Sequence, residues 1–275
     1  MSGPALVLED VRRAFGGKAV LRGVTARAER GRVIGLLGRN GEGKTTLFKI
    51  LLDLLAADSG RVEVLGLVPD GSAALRAKVG WIPERPQFHD FMTAADVLEL
   101  RAKLFPRWSS ERAAAAAKRL GLDLSVGIAG ASKGTLGKLA WVCAVAHDPE
   151  LLLLDEPTSG LDALVREELL ESLVGELHDS GKTILVANHR MEELGGLLDE
   201  VWLLADGRIA AVHEVEALRS GARRLRGRLK TGGIEECSAL DEAGVRAAAG
   251  RFEAFEEMPL PLKDTLALLL KEGSR

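Results

Sequence analysis

The run Gly38-Arg39-Asn40-Gly41-Glu42-Gly43-Lys44-Thr45-Thr46 fits the pattern G-x-x-x-x-G-K-[ST], whose chemistry is the holding of phosphate. Gly38, Gly41 and Gly43 have no Cβ to stop the backbone from curling, so N–H groups from Asn40 to Thr46 can close around phosphate oxygens. A helix opening at Lys44 adds the positive end of its dipole. Lys44 is placed to reach the β- and γ-phosphates, and the Thr45 hydroxyl to bind Mg²⁺. The competing reading is a plain glycine turn with a solvated lysine. A second set of residues supplies what the first lacks. The apolar run Leu151–Leu154 leads into Asp155 and Glu156. Asp155 would hold Mg²⁺ through water beside the phosphates, and Glu156 would polarise the water that attacks the γ-phosphate. No N-K-x-D guanine reader occurs, so adenine is the expected base and ATP the expected nucleotide.

These residues need a scaffold of strands that deliver loops to one edge. Short apolar runs alternate with longer amphipathic stretches, which is the pattern of an α/β fold on a mostly parallel sheet. Ala5–Phe15 and Ala19–Ala28 read as two strands joined at Gly16–Gly17, and Val33–Leu37 as a buried strand entering the glycine loop. A helix is expected from Lys44 to about Leu55, then strands at Arg61–Leu65 and Val79–Ile82. Thr93 and Asp96 form a capping-box pattern, and Ser109 and Ser110 precede an alanine-rich helix, Ala113–Leu120. Leu151–Leu154 and Thr183–Val186 read as central strands, with a helix between them whose apolar face is Leu161, Val165, Leu169, Leu173 and Leu177. Val201–Leu204 and Arg208–Val212 flank Asp206–Gly207, a strong hairpin signal. Beyond His213 the pattern weakens to a basic strand, Arg224–Lys230, and a closing helix, Lys263–Lys271.

The glycine loop, Ala131-Ser132-Lys133-Gly134-Thr135, Leu151–Glu156, Ser159-Gly160-Leu161-Asp162 and His189 stand in one order that closely resembles the ATPase subunit of ATP-binding cassette (ABC) transporters. The resemblance covers about Ala5 to Val212. It implies a P-loop NTPase of the ABC ATPase type: an N-terminal antiparallel β subdomain and a helical insertion of about 84–135 within residues 1–212. A small C-terminal extension, 213–275, is expected beyond it. It also implies that Phe15 stacks on adenine, where a core phenylalanine at a strand end is an equal alternative. By the same resemblance Ser132 and Gly134 contact the γ-phosphate bound by a partner protomer, Asp162 couples the two sites, and His189 senses the γ-phosphate. Two positions depart from the family pattern. Lys133 brings a positive charge into the signature, and Glu84 stands where a Mg²⁺-contacting glutamine is common. One glycine loop and one signature per chain imply a second ATPase protomer, expected to be identical, with two nucleotides at the seam.

Composition narrows the partners. The net charge is −3 and the chain has 4 Trp, 7 Phe and no Tyr, which suits neither a nucleic-acid grip nor a base-stacking platform. The longest apolar run, Leu139–Ala146, is far short of the roughly 20 residues of a membrane helix. Cys143 and Cys237 have no ligand spacing and read as reduced thiols. A cassette without its own span implies a separate membrane subunit, which the aromatic-rich stretch from Trp81 to Trp108 would receive. The expected place is the cytoplasmic face of the inner membrane, and the expected work ATP hydrolysis coupled to transport, more in the manner of an exporter. The rival is an ABC-type ATPase acting on nucleic acid or ribosomes. Against it stand the single cassette and the absence of sustained heptads.

Overall fold

The computed structural model describes residues 3–188 and 191–272. Strands β1 (Leu6–Phe15) and β2 (Lys18–Ala28) form an antiparallel hairpin in which Phe15 faces Lys18. Its turn, Gly16–Gly17, has φ of 53° and 83°, the left-handed pair that a two-residue turn matched to strand twist requires. Strand β3 (Val33–Leu37) enters the glycine loop, and α1 (Lys44–Leu51) leaves it. Strand β4 (Ser59–Val64) pairs with the free side of β1, giving the order β2-β1-β4.

The expected reach of α1 to Leu55 is not met. Leu52 caps the helix and Asp53 turns left-handed at φ 58°, which leaves Leu54 mostly exposed although it continues the apolar pattern. Strand β4 is likewise shifted toward the N-terminus relative to Arg61–Leu65, because Leu65 also takes a left-handed backbone at φ 55°.

The main sheet gathers β3 with β5 (Val79–Ile82), β6 (Leu151–Asp155), β7 (Thr183–Ala187), β8 (Glu200–Ala205) and β9 (Arg208–Glu214). Their order is β5-β6-β7-β3-β8-β9, with β9 alone antiparallel, turned back at Asp206–Gly207. Every residue of β3, β6 and β7 is buried, as central strands covered on both faces must be. The period of two divides β6 cleanly. Leu151 and Leu153 join the apolar cluster of α1 and the antiparallel sheet, while Leu152 and Leu154 join the cluster on the other face.

After the short helix α2 (Ala73–Arg76) and β5, the chain forms α3 (Ala94–Leu104), α4 (Ser110–Arg119) and α5 (Lys133–Val145), which together lie on that second face. The capping box expected at Thr93 is present: Thr93 N–H donates to Asp96 Oδ2 at 2.8 Å, and Asp96 N–H to Thr93 Oγ1 at 3.2 Å. Helix α4 starts ahead of Ala113 because Ser109 Oγ caps it, accepting from Arg112 N–H at 3.1 Å. Helix α6 (Ala163–Ser180) crosses from β6 to β7. A partly buried charge cluster ties these parts together. Lys182, only 3% exposed, pairs with Glu176 of α6 and with Asp148, and Asp148 also pairs with Arg112 at 2.9 Å and Arg107 at 3.0 Å.

Beyond β9 come α7 (Val215–Gly221), β10 (Arg223–Leu229), β11 (Ile234–Ala239), α8 (Glu242–Ala249), β12 (Phe252–Pro259) and α9 (Leu262–Glu272). The three strands form a separate antiparallel sheet, β11-β10-β12. The helices on either side of it return to the cassette. Val215 and Leu218 of α7 and Leu266 and Leu269 of α9 are buried in the same cluster as Met191, Leu198 and Val201. Three arginines of β10 are answered within their own sheet and by α9: Arg223 by Glu257, Arg224 by Glu236 and Asp264, Arg228 by Glu253.

Candidate functional site

The ends of β3 and β6 and the start of α1 surround a cavity of about 490 Å³. Asn40, Gly41, Gly43, Lys44, Thr45 and Thr46 line it from the loop, and Asp155 and Glu156 from β6. Two glycines of the loop are fixed by geometry. Gly43 has φ 104°, and a Cβ there would stand 2.8 Å from Leu21. A Cβ at Gly38 would meet the Leu204 carbonyl at 2.7 Å. Lys44 is buried, its ammonium donating to the carbonyls of Gly38 at 2.7 Å and Arg39 at 3.3 Å and lying 4.0 Å from Glu156 Oε1.

Asp155 and Glu156 are adjacent, and side chains of adjacent strand residues ordinarily point to opposite faces. Here both line the cavity because Glu156 leaves the strand with φ 50°, a left-handed backbone that non-glycine residues seldom hold. Its N–H donates to the Ala187 carbonyl at 2.8 Å, which anchors the bend to β7. Such backbone strain gathers where a side chain must be aimed.

Asp155 is 2% exposed and accepts a 2.6 Å hydrogen bond from the Thr45 hydroxyl. Burial pushes its carboxyl above the usual range, and the nearby Glu156 and Glu84 charges push the same way, against the Thr45 hydrogen bond and Lys44. A hydroxyl and carboxylate in contact, with further carboxylates close by, are hard oxygen donors that fit Mg²⁺. Among the described residues no group of three or more acidic, His or Cys side chains is gathered closely enough to hold a metal alone. Mg²⁺ usually takes one or two protein ligands and completes its shell with phosphate and water.

Phe15 lines the same cavity and is 45% exposed, with the Arg13 guanidinium 4.9 Å from its ring centroid. The core-phenylalanine alternative therefore does not apply. Glu84 also lines the cavity and is largely exposed. Ser132, Gly134 and Asp162 do not line it. Ser132 caps α5, its Oγ accepting from Thr135 N–H at 3.0 Å, and Gly134 is buried against Val165. Asp162 caps α6, accepting from Val165 N–H at 3.0 Å. His189 lies outside the described residues.

Sequence reasoning missed Arg39 and Val20, which also line the cavity, and Arg101. Arg101 stands in a second cavity of about 500 Å³ beside the first, with Trp81, Phe88 and Cys143, its guanidinium 5.7 Å from the Phe105 ring centroid. Its spacing of four from Phe105, the residue that caps α3, was the available signal. Around this groove Leu54, Leu100, Leu104 and Phe91 are exposed. Burial raises the Cys143 thiol to about 11, so it stays protonated.

A mostly parallel sheet, two acids at the end of a central strand and a lysine-bearing glycine loop define a P-loop ATP-binding domain. The family model described as "ABC transporter" matches residues 21–159. The ABC transporter ATP-binding protein YtrB of Bacillus subtilis is 28% identical over 212 residues, 77% of this chain and 73% of that protein. The bacitracin transport ATP-binding protein BcrA of Enterococcus faecalis is 30% identical over 219 residues, 78% of this chain and 71% of that protein. A solved structure described as the ATP binding subunit of an ABC transporter matches with TM-score 0.71 and 29% identity, over 78% of this chain and 92% of its own. The chain belongs to the ABC transporter family, as one of its ATP-binding subunits.

Proposed function

We propose that this chain binds and hydrolyses Mg-ATP, dimerises on ATP with a second copy of itself, and drives transport through a separate membrane subunit as part of an exporter. The observation that carries the reading is the convergence of Lys44, Thr45, Asp155 and Glu156 on one cavity at the sheet edge. Lys44 and the loop N–H groups, with Phe15 on the base, orient the nucleotide. Thr45 and Asp155 are the residues that would hold Mg²⁺, which neutralises phosphate charge when bound. Glu156, aimed by its bend, takes the proton of the attacking water, and His189 donates a hydrogen bond to the γ-phosphate.

Ser132, Gly134 and Asp162 lie away from this cavity, as residues meant for a partner's nucleotide do. The relatives' printed names support transport, and that of the Nod factor export ATP-binding protein I of Ralstonia nicotianae, 33% identical over 217 residues, supports export. Among the described residues no helix is long and apolar enough to cross a membrane, so the pathway is assigned to another chain. The apolar groove at Trp81 and Phe88 is the proposed docking place for it, on the cytoplasmic face of the membrane.

The test is phosphate release from Mg-ATP by the purified chain. Glu156→Gln should reduce turnover by roughly 10²–10⁴-fold, the range for losing a general base, while still binding ATP. Light scattering of that variant in saturating Mg-ATP should report a dimer. Absence of hydrolysis by the parent chain, with and without its membrane fraction, would reject the reading.

A further inference from the structure

We propose that Arg13, anchored by Asp58, is a positioning residue for the nucleotide base, a role that rests on the reading of Phe15 as the base platform given above. Arg13 fixes the Phe15 ring before any base arrives, with one face covered and the other turned to the cavity. Phe15 closes β1, and Gly16 and Gly17 follow it without side chains. A Cβ at either glycine would meet nothing within 4 Å, so the turn offers the ring no wall. The ring is 45% exposed. An aromatic side chain in that setting loses rotamer freedom when a base stacks on it, unless another group already holds it.

The Arg13 guanidinium is that group. It stands 4.9 Å from the ring centroid, within cation–π range. Phe15 lines the nucleotide cavity and Arg13 does not, so the guanidinium backs the ring on the side away from the cavity.

Arg13 is itself held. Its Nη1 donates to Asp58 Oδ1 at 2.6 Å. The other oxygen of that carboxylate accepts from Ala14 N–H at 2.7 Å, and Asp58 N–H donates to the Arg12 carbonyl at 2.8 Å. One residue thus grips the guanidinium and also the backbone on both sides of Arg13. A guanidinium is a planar fork, so a carboxylate at its edge leaves its face free for an aromatic ring. The Arg13 side chain is 24% exposed, which shields both contacts from water.

Calorimetry of Mg-ADP and Mg-pyrophosphate binding tests this role, since ADP carries the base, pyrophosphate does not, and neither brings a γ-phosphate. Arg13→Gln should weaken Mg-ADP binding about three- to tenfold, the cost of ordering a side chain on binding. Its affinity for Mg-pyrophosphate should stay within twofold of the parent, which also shows that the glycine loop is still folded. Phe15→Ala should weaken Mg-ADP by itself, and adding Arg13→Gln to it should change the affinity less than twofold, because Arg13 acts through the ring. Mg-ADP affinity of Arg13→Gln within twofold of the parent, an equal loss for pyrophosphate, or an equal loss in the Phe15→Ala background overturns the role of Arg13 and leaves the base platform standing. If Phe15→Ala binds Mg-ADP as the parent does, the platform fails and Arg13's role with it.

Discussion

Thr45 is held at 2.6 Å from a carboxylate that burial drives toward protonation. Replacing its hydroxyl by a methyl leaves the shape of the loop but removes one oxygen donor and leaves Asp155 without its partner. Thr45→Val should raise the Mg²⁺ concentration needed for half-maximal hydrolysis by about tenfold or more, in line with losses when a metal's supporting groups are removed. A titration of phosphate release against Mg²⁺ measures it, and an unchanged midpoint would exclude Thr45 from the metal site. The glycine loop and the two acids were readable because each chemical role there demands a residue type: no Cβ, one ammonium, two carboxylates. The bend that aims Glu156 was not readable, since a glutamate with a left-handed backbone looks like any other glutamate in a sequence. Phe15 stayed ambiguous for a related reason: only its exposure separates a stacking ring from a core ring.

Among the elements, those with a local signal were legible, and a helix buried along most of its length was not. The hairpin at Asp206–Gly207 and the capping box at Thr93 announce themselves locally. Helix α5 shows no such sign. It is buried along most of its length from Leu139 to Val145, so its sequence has no amphipathic period to read and had registered only as an apolar run. The end of α1 was missed because it is set by Asp53, not by any break in hydrophobicity. The charge cluster around Lys182 joins α4, α6 and the turns that precede β6 and β7, and no local pattern reveals it because its members are distant in sequence. Removing a buried ion's partner typically costs roughly 3–5 kcal/mol. Lys182→Ala removes the buried ammonium but leaves Glu176 paired with Arg112 at 3.3 Å, so it should lower unfolding free energy by less, roughly 1.5–3 kcal/mol, read from urea titration. Lys182→Met, which keeps the packing volume but not the charge, should recover little. A loss under roughly 1 kcal/mol in both would show the cluster to be solvent-like.

Over the whole molecule, protons and packing set limits that no single element does. His147 is 1% exposed, its Nε2 facing the Val79 carbonyl at 3.2 Å, and burial lowers its pKa from 6.5 although backbone groups of Val79 and Cys143 oppose the shift. An unfolded chain protonates this histidine near 6.5 and the folded chain only at lower pH. Between those values the unfolded state holds more protons, so stability should fall as pH is lowered through this window. Urea titrations from about pH 8 to pH 5 should show this decline, flatter in His147→Gln. An equal slope in both proteins would place the proton uptake elsewhere. The weak pattern beyond His213 suggested an appendage, yet Leu266 and Leu269 of α9 sit in the cassette's own core. Leu269→Ala should therefore cost roughly 2–5 kcal/mol and shift the melting of the entire chain, not of a separate late fragment. The same placement bears on how the protein is made. A ribosome works from the N-terminus, so the nucleotide cavity is synthesised long before the helix that closes the core behind β8. Until residue 269 emerges, the nascent cassette carries an open apolar groove, and a product cut short by premature termination keeps that groove for life. Chaperones and proteases that read exposed apolar surface can thus tell a finished subunit from an unfinished one before it reaches a membrane partner.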